Sequence, residues 1–138
     1  MKIAIFFLVL FHSVLVIEQD LKQPKYNIHQ ANLCVGDALV FGNKSIQFKK
    51  VVSDSRCPKG VTCVWAGEVK ILVEFYENGK FKGDKIIAGS NIRVGEFFNV
   101  EELTISGLAV LPYPKLNEKI SSGEYSLNLK VSEKVETD

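Results

Sequence analysis

The residues best suited to chemistry lie in one stretch, DSRCPKGVTCVWAG, which runs from Asp54 to Gly67. Cys57 and Cys63 enclose five residues, and the chain's single tryptophan, Trp65, follows two positions later. Paired cysteines can form a disulfide or ligate a metal, and a free thiolate can act as a nucleophile. The stretch is therefore either a functional site or a covalent clasp for a small fold.

The first residues of the chain indicate which chemistry to expect. Lys2 precedes a short apolar run, Ile3 to Ile17, and charged residues follow it. This pattern is typical of a secretory signal peptide, and the run is short for a membrane span of roughly 20 residues. No A-x-A-like triplet precedes Glu18, so an uncleaved anchor is the alternative. We expect export to the periplasm, the outer envelope or the extracellular space, where disulfides persist.

Three cysteines allow one intramolecular disulfide and leave one thiol over. Cys57 and Cys63 are the expected pair because they are closest in sequence, and closing so small a ring stabilises the fold by about 2.4 kcal/mol. Pairing of Cys34 with either of them is the alternative. In the expected pairing Cys34 is left over; it is then free, buried or bonded to a second chain, and its apolar neighbours favour burial.

Alternating apolar and polar residues predict the strands that must position this stretch. EVKILVEFY and EYSLNLKV each place their apolar side chains on one face, and Asn78-Gly79 predicts a tight hairpin. DALVF, KSIQFKKVV, residues 81–87, EFFNV and EELTISGLAVL indicate further strands, with bulges near Lys49-Lys50 and at Gly107. The predicted fold class is all-β, a single antiparallel β-sandwich or small barrel of about 7–8 short strands. Alternation alone does not choose between the two.

The chain of 138 residues suits one domain. We divide it into a signal peptide (1–17), a polar lead-in (18–33), the β domain (34–132) and a polar C-terminal tail (133–138). The net charge of +1 gives no electrostatic argument for binding nucleic acid or an anionic membrane. We therefore expect no nucleic-acid partner, and no membrane span once the signal peptide is removed.

Most of the opening stretch is expected to have a structural role. Asp54 and Ser55 suit hydrogen bonds to nearby backbone N–H groups, and proline and glycine help the chain to turn. If the strand that follows extends back without a break, Trp65 packs beside the disulfide and over the edge of the core. The residues expected to shape the loop are Asp54, Ser55, Pro58, Gly60 and Gly67.

A sharper interpretation gives the tied loop a binding role. A pre-ordered loop loses less entropy on binding, and arginine and tryptophan are enriched in binding hot spots. The candidate binding residues are Arg56 and Lys59, with Trp65 and with Tyr113, which two prolines hold in an extended turn. The alternative for Tyr113 is that its ring packs across the end of the sheet. The expected partner is an envelope or extracellular protein or glycan.

The stretch FKKVVSDSRCPKGVTCVWAGEVKILVEF resembles small exported bacterial proteins of unknown function that carry a DSRCP…CVWAG signature. LAVLPYPKLNEKISSGEYSLNLKV is similar to their usual ending, and the resemblance covers about Val35 to Val131. It implies an exported β domain with a stapled loop, often in a lipoprotein. This chain lacks a lipoprotein cysteine, so the resemblance does not extend to a lipid anchor.

Catalytic and metal chemistry find little support in the residue types. His12 lies in the signal segment, and His29 in the lead-in is expected to be a solvated surface group. Five residues between the cysteines exceed the usual zinc spacing of about two to four. We predict no catalytic residue, no metal and no cofactor, and a small hydrolase that depends on His29 stays as a third hypothesis.

The pattern as a whole predicts a noncatalytic exported binding or structural module with a disulfide-stapled loop. The alternative is an inhibitor of an envelope or secreted hydrolase, in which Arg56 or Lys59 enters a pocket of the enzyme. The sequence does not indicate the ligand or the oligomeric state.

Overall fold

Eight strands are present in residues 22–89 and 91–136, the part of the chain that the computed structural model describes. Their bounds are β1 Lys25–Cys34, β2 Ala38–Phe41, β3 Lys44–Asp54, β4 Val69–Glu77, β5 Lys80–Ile87, β6 Ile92–Arg93, β7 Leu103–Leu111 and β8 Ser126–Val135. They form two four-stranded sheets, with strand orders β1-β8-β7-β6 and β2-β3-β4-β5. All neighbouring strands are antiparallel.

The two sheets share one apolar core, as expected for a sandwich. Alternate residues of each strand point inward because successive side chains of a strand face opposite ways. One central strand of each sheet shows this: Ile71, Val73 and Phe75 of β4 and Leu127, Leu129 and Val131 of β8 are fully buried. The predicted all-β class is confirmed, and of its two forms the described residues adopt the sandwich.

Hairpins and bulges lie where the sequence predicted them. Asn78 and Gly79 both have positive φ in the β4–β5 turn. The register of β3 against β4 shifts between Phe48 and Lys50, and that of β7 against β8 shifts between Ile105 and Gly107. Each bulge moves the following apolar residues back onto the inner face.

The strand predicted for EFFNV is wrong. Gly95–Phe97 forms a short 3-10 helix. As a result, the consecutive residues Phe97 and Phe98 both pack on Phe75. Phe97 stacks on Phe75 with ring centroids 4.2 Å apart, and Phe98 meets the edge of that ring at 5.8 Å. A strand would send Phe97 and Phe98 to opposite faces, so the core contact requires the helical turn.

The predicted domain boundaries are too narrow at both ends. Residues 25–34 are not a polar lead-in but the edge strand β1, which pairs with β8 along its whole length, and β8 continues to Val135. His29 therefore lies in a strand, where its ring stacks on Phe41 at 5.1 Å and its Nε2 is 3.5 Å from a carboxylate oxygen of Glu133. The predicted signal peptide, residues 1–17, lies outside the described residues.

Cys34 is exposed, not buried as expected. It is the last residue of β1 and pairs in register with Ser126, while the adjacent Leu33 points into the core. Apolar neighbours in sequence do not bury a strand residue, because the neighbours face the opposite side of the sheet.

Candidate functional site

The stretch singled out in the sequence forms a long loop between the two central strands of the second sheet. We call residues 55–68, between the end of β3 and the start of β4, the stapled loop. Cys57 and Cys63 are joined in a disulfide, with Cα atoms 5.9 Å apart, so the predicted pairing is confirmed. At the base of the loop, the Ser55 N–H donates to the Glu68 carbonyl at 2.8 Å, and the Cys57 N–H donates to the Ala66 carbonyl at 3.0 Å. The loop is closed by backbone hydrogen bonds as well as by the covalent bond.

The loop's path depends on glycine at one position. Gly67 has φ of +68°, and a Cβ placed there would lie 1.8 Å from the carbonyl oxygen of Ser55. The Ser55 hydroxyl also exchanges hydrogen bonds with the backbone of Glu68, at 3.0 and 3.1 Å. Gly60 has φ of +84°, and a Cβ there would meet nothing within 4 Å. Gly67 thus allows close backbone approach, whereas Gly60 supplies only a turn.

Arg56 fastens the loop to the opposite sheet. Its guanidinium donates to both carboxylate oxygens of Asp54, at 2.8 and 2.7 Å, and this bidentate geometry makes a strong ion pair. It also donates to the carbonyls of Val110 at 2.6 Å and Pro112 at 3.1 Å, at the end of β7. The Tyr125 hydroxyl donates to Asp54 at 3.1 Å. We call Arg56, Asp54 and Tyr125, with the carbonyls of Val110 and Pro112, the arginine clamp.

The clamp is nearly removed from water. The side chains of Arg56 and Asp54 are 10% and 9% exposed. The hydrogen bonds from Arg56 hold the pKa of the Asp54 carboxyl below its ordinary value of 3.8, and this effect outweighs desolvation. The same pairing raises the pKa of Arg56. Burial, followed by the nearby Asp54 charge, raises the pKa of Tyr125. Arg56 and Asp54 are therefore both ionised at neutral pH, and Asp54 also accepts the backbone N–H of Arg56 at 3.2 Å.

Lys59 makes a second contact between the stapled loop and the segment after β7. The Lys59 N–H donates to the Pro114 carbonyl at 3.0 Å, and Lys59 forms a parallel bridge with Lys115. The Tyr113 ring lies between two cations, 5.0 Å from the Arg56 guanidinium carbon and 5.7 Å from the Lys59 ammonium. The ring is partly exposed, so it packs against the loop and still faces solvent. The loop is thus held to the segment after β7 by both backbone and cation–π contacts.

The end of the loop faces solvent. Ten consecutive residues, Lys59 to Glu68, are exposed, and among them Val64 is 91% and Trp65 is 82% exposed. The expectation that Trp65 packs over the edge of the core is wrong. It assumed an unbroken strand back to Cys63, but β4 begins only at Val69 and the positive φ of Gly67 redirects the chain.

The structure divides the predicted binding residues into two groups. Arg56 lies inside the clamp, with four of its donors bonded, so it is not presented to a pocket in the described conformation. Lys59, Trp65 and Tyr113 are at the surface. The valines at 61 and 64 are also exposed, and sequence reasoning missed both. They lie in the segment VTCVW, which has no apolar–polar alternation, so no strand pattern indicated which way they face.

The clamp's acceptors were also missed. The carbonyls of Val110 and Pro112 lie more than fifty residues from Arg56 in sequence, and a carbonyl carries no residue-specific signal. Tyr125 was predicted as an inward-facing strand residue, and it is buried, but its hydroxyl bond to Asp54 was not foreseen. The one sequence feature that indicated an ion pair here is the spacing of Asp54 and Arg56, two residues apart.

Two open clefts lie elsewhere on the described surface. One, of about 640 Å³, is bordered by Tyr113, Lys115 and Glu124, and the other, of about 710 Å³, by Arg93 and several glutamates. Neither of these two clefts is lined by histidine or cysteine. In residues 22–89 and 91–136 no three His, Cys, Asp or Glu side chains are grouped as a metal site requires.

Comparisons of the chain with protein-family models, with curated proteins and with solved structures find no match. Among the described residues, no helical segment has both the length and the apolar character needed to cross a membrane.

Proposed function

We propose that this chain is a noncatalytic exported binding module whose contact surface is the exposed end of the stapled loop. The observation that carries this proposal is the exposure of Trp65 and Val64 on a loop whose base is fixed. Leaving large apolar side chains in water forgoes the stabilisation that burial supplies, about 1.5–3 kcal/mol for a side chain such as valine. That free energy becomes available when a partner covers them.

The fixed base of the loop supports a binding role as well as a structural one. The disulfide, the arginine clamp and the bond from Lys59 to Pro114 restrain the loop before any partner arrives. A restrained loop loses less conformational entropy on binding, so more of the contact energy appears as affinity. Tryptophan is also among the residue types that dominate binding hot spots.

Export is supported by two independent features. The apolar run at residues 3–17 has the form of a signal peptide, and a disulfide persists only in an oxidising compartment. The resemblance to small exported bacterial proteins with a DSRCP…CVWAG signature points the same way. We place the partner in the envelope or outside the cell.

The proposal is tested by capture from the envelope fraction and the culture fluid of the source cell. The bait is the oxidised protein, and the captured material is analysed for protein, glycan and lipid. A Val64→Ser, Trp65→Ala variant is compared with a Val40→Ser, Phe81→Ala variant, which removes one exposed valine and one exposed aromatic ring from strands β2 and β5.

We expect the control variant to retain the captured material and the loop variant to lose it. The unfolding midpoint of both variants is measured as a folding control; Val64, Trp65 and Val40 are largely exposed, whereas Phe81 also contacts the Tyr76 ring at 5.7 Å. Equal capture by the two variants would move the contact surface away from the stapled loop.

A further inference from the structure

We propose that the exposed end of the stapled loop docks on the surface of an anionic lipid bilayer. The inference rests on the proposed function, because it assigns a partner to the same contact surface. It commits to phospholipid as that partner, and a protein partner becomes one outcome of the test.

The shape of the loop end favours a bilayer over a protein. Its exposed surface comes from ten consecutive residues of one loop, Lys59 to Glu68. A stable protein interface buries about 800 Å² on each partner, which requires some 20–30 residues. A few exposed apolar side chains at the end of a loop instead suit shallow insertion between lipid headgroups.

The side chains at the loop end are of the types that favour the headgroup region of a bilayer. Trp65 combines a large apolar ring system with an N–H donor, and tryptophan concentrates where headgroups meet acyl chains. Val61 and Val64 add purely apolar surface beside it, and both are exposed. Leu116 is also exposed and follows Lys115, which is bridged to Lys59 at the side of the loop.

The charges around the loop end complement an anionic surface. Among residues 59–68, Lys59 is the one cation and Glu68 the one carboxylate, and Glu68 pairs with Lys70 at 3.2 Å, while the charge of Arg56 is paired with Asp54 in the clamp. Lys115 and Lys119 lie on the neighbouring segment, where Glu118 is 3.7 Å from the Lys115 ammonium and Glu124, which borders the same cleft, accepts the Ser121 N–H. The chain as a whole is nearly neutral, so the attraction is local to this end of the molecule. Each lysine near an anionic leaflet strengthens binding by about fivefold.

Trp65 is the chain's single tryptophan, so its fluorescence reports on the loop end directly. The protein is expressed from its full coding sequence, purified in oxidised form and titrated with vesicles of phosphatidylglycerol and phosphatidylcholine, or of phosphatidylcholine alone. We expect a blue shift of the emission, quenching by brominated acyl chains, and clearly tighter binding to the anionic vesicles.

Matched variants separate the loop end from the rest of the surface. Val64→Asp places a charge at the proposed insertion point and keeps the fluorophore, and we expect it to weaken vesicle binding by about tenfold or more. Val40→Asp places the same charge at an exposed position of β2 and should leave binding unchanged. Lys59→Gln should weaken binding to anionic vesicles by about fivefold.

Three results would overturn the inference: unchanged Trp65 emission with anionic vesicles, equal binding to both vesicle types, or equal effects of the two aspartate variants. If capture from the envelope still depends on Val64 and Trp65 while vesicles leave the emission unchanged, the partner is a protein or glycan and the binding module stands. If neither experiment depends on these residues, both proposals fail.

Discussion

Replacing Arg56 by methionine tests the arginine clamp, on which the position of the loop depends. Methionine retains the length and apolar stem of the side chain, so the change removes the charge and its hydrogen bonds with little loss of packing. It leaves the Asp54 carboxylate, 9% exposed, with the Tyr125 hydroxyl and one backbone N–H as its remaining donors. It also leaves the Val110 carbonyl without the donor at 2.6 Å.

The expected loss follows from this burial. Breaking a buried ion pair from one side costs about 3–5 kcal/mol, because the remaining charge stays desolvated. The clamp lies at the end of the sandwich, where water can reach Asp54 after the change, so we expect about 3 kcal/mol, at the low end of that range. Unfolding by urea should show this as a midpoint lower by about 2 M, with an unchanged slope.

Two further variants distinguish the clamp from an ordinary surface pair. Lys70→Met breaks the ion pair between Lys70 and Glu68, in which the two side chains are 45% and 50% exposed. It should lower the free energy of unfolding by less than about 1 kcal/mol. The double variant Asp54→Asn, Arg56→Met removes both charges and should be no less stable than Arg56→Met alone. A loss for Arg56→Met no larger than that for Lys70→Met would refute the reasoning.

Three other predictions concern the same loop. Gly67→Ala should destabilise by about 2 kcal/mol or more through its clash with the Ser55 carbonyl, and Gly60→Ala by about 1 kcal/mol through positive φ alone, both measured by urea unfolding. Replacing both Cys57 and Cys63 by serine should cost about 2.4 kcal/mol in the same assay; no change would show that the hydrogen bonds at the base suffice. Because the folded pKa of Asp54 lies below its ordinary 3.8, the stabilisation it supplies is complete above that value and lost as the pH falls through the lower folded pKa. The difference in unfolding free energy between wild type and Asp54→Asn should therefore be constant above about pH 5 and shrink toward about pH 2; a constant difference would contradict the pKa assignment.

Much of the sheet architecture follows from local pattern. Alternation placed β4 and β8 and their buried faces, and paired lysines and a glycine marked the bulges where the register shifts. Two elements escaped this reasoning. β1 is an edge strand whose apolar residues change phase, from the exposed Tyr26 and Ile28 to the inward-facing Ala31 and Leu33, so it lacks a continuous alternation. Gly95–Phe97 is helical because the rings of Phe97 and Phe98 both pack on Phe75.

The loop was predictable in its covalent chemistry and not in its contacts. Proximity in sequence identified Cys57 and Cys63 as the pair. Arg56 was expected to be exposed, but it holds the loop in place by donating to the carbonyls of Val110 and Pro112, which are distant in sequence. Conversely, Trp65 was expected to pack beside the disulfide and over the edge of the core, but it lies at the exposed end of the loop because Gly67 breaks the continuity with β4.

The most direct test of the central claim observes Trp65 while a partner binds. Because the chain contains a single tryptophan, incorporation of fluorotryptophan gives one ¹⁹F signal, which belongs to Trp65. The account predicts a sharp signal typical of a solvent-exposed ring in the free oxidised protein, and a shifted or broadened signal when envelope material from the source cell is added. A signal that stays sharp and unshifted while the protein is demonstrably bound would contradict the claim that the end of the stapled loop is the contact surface.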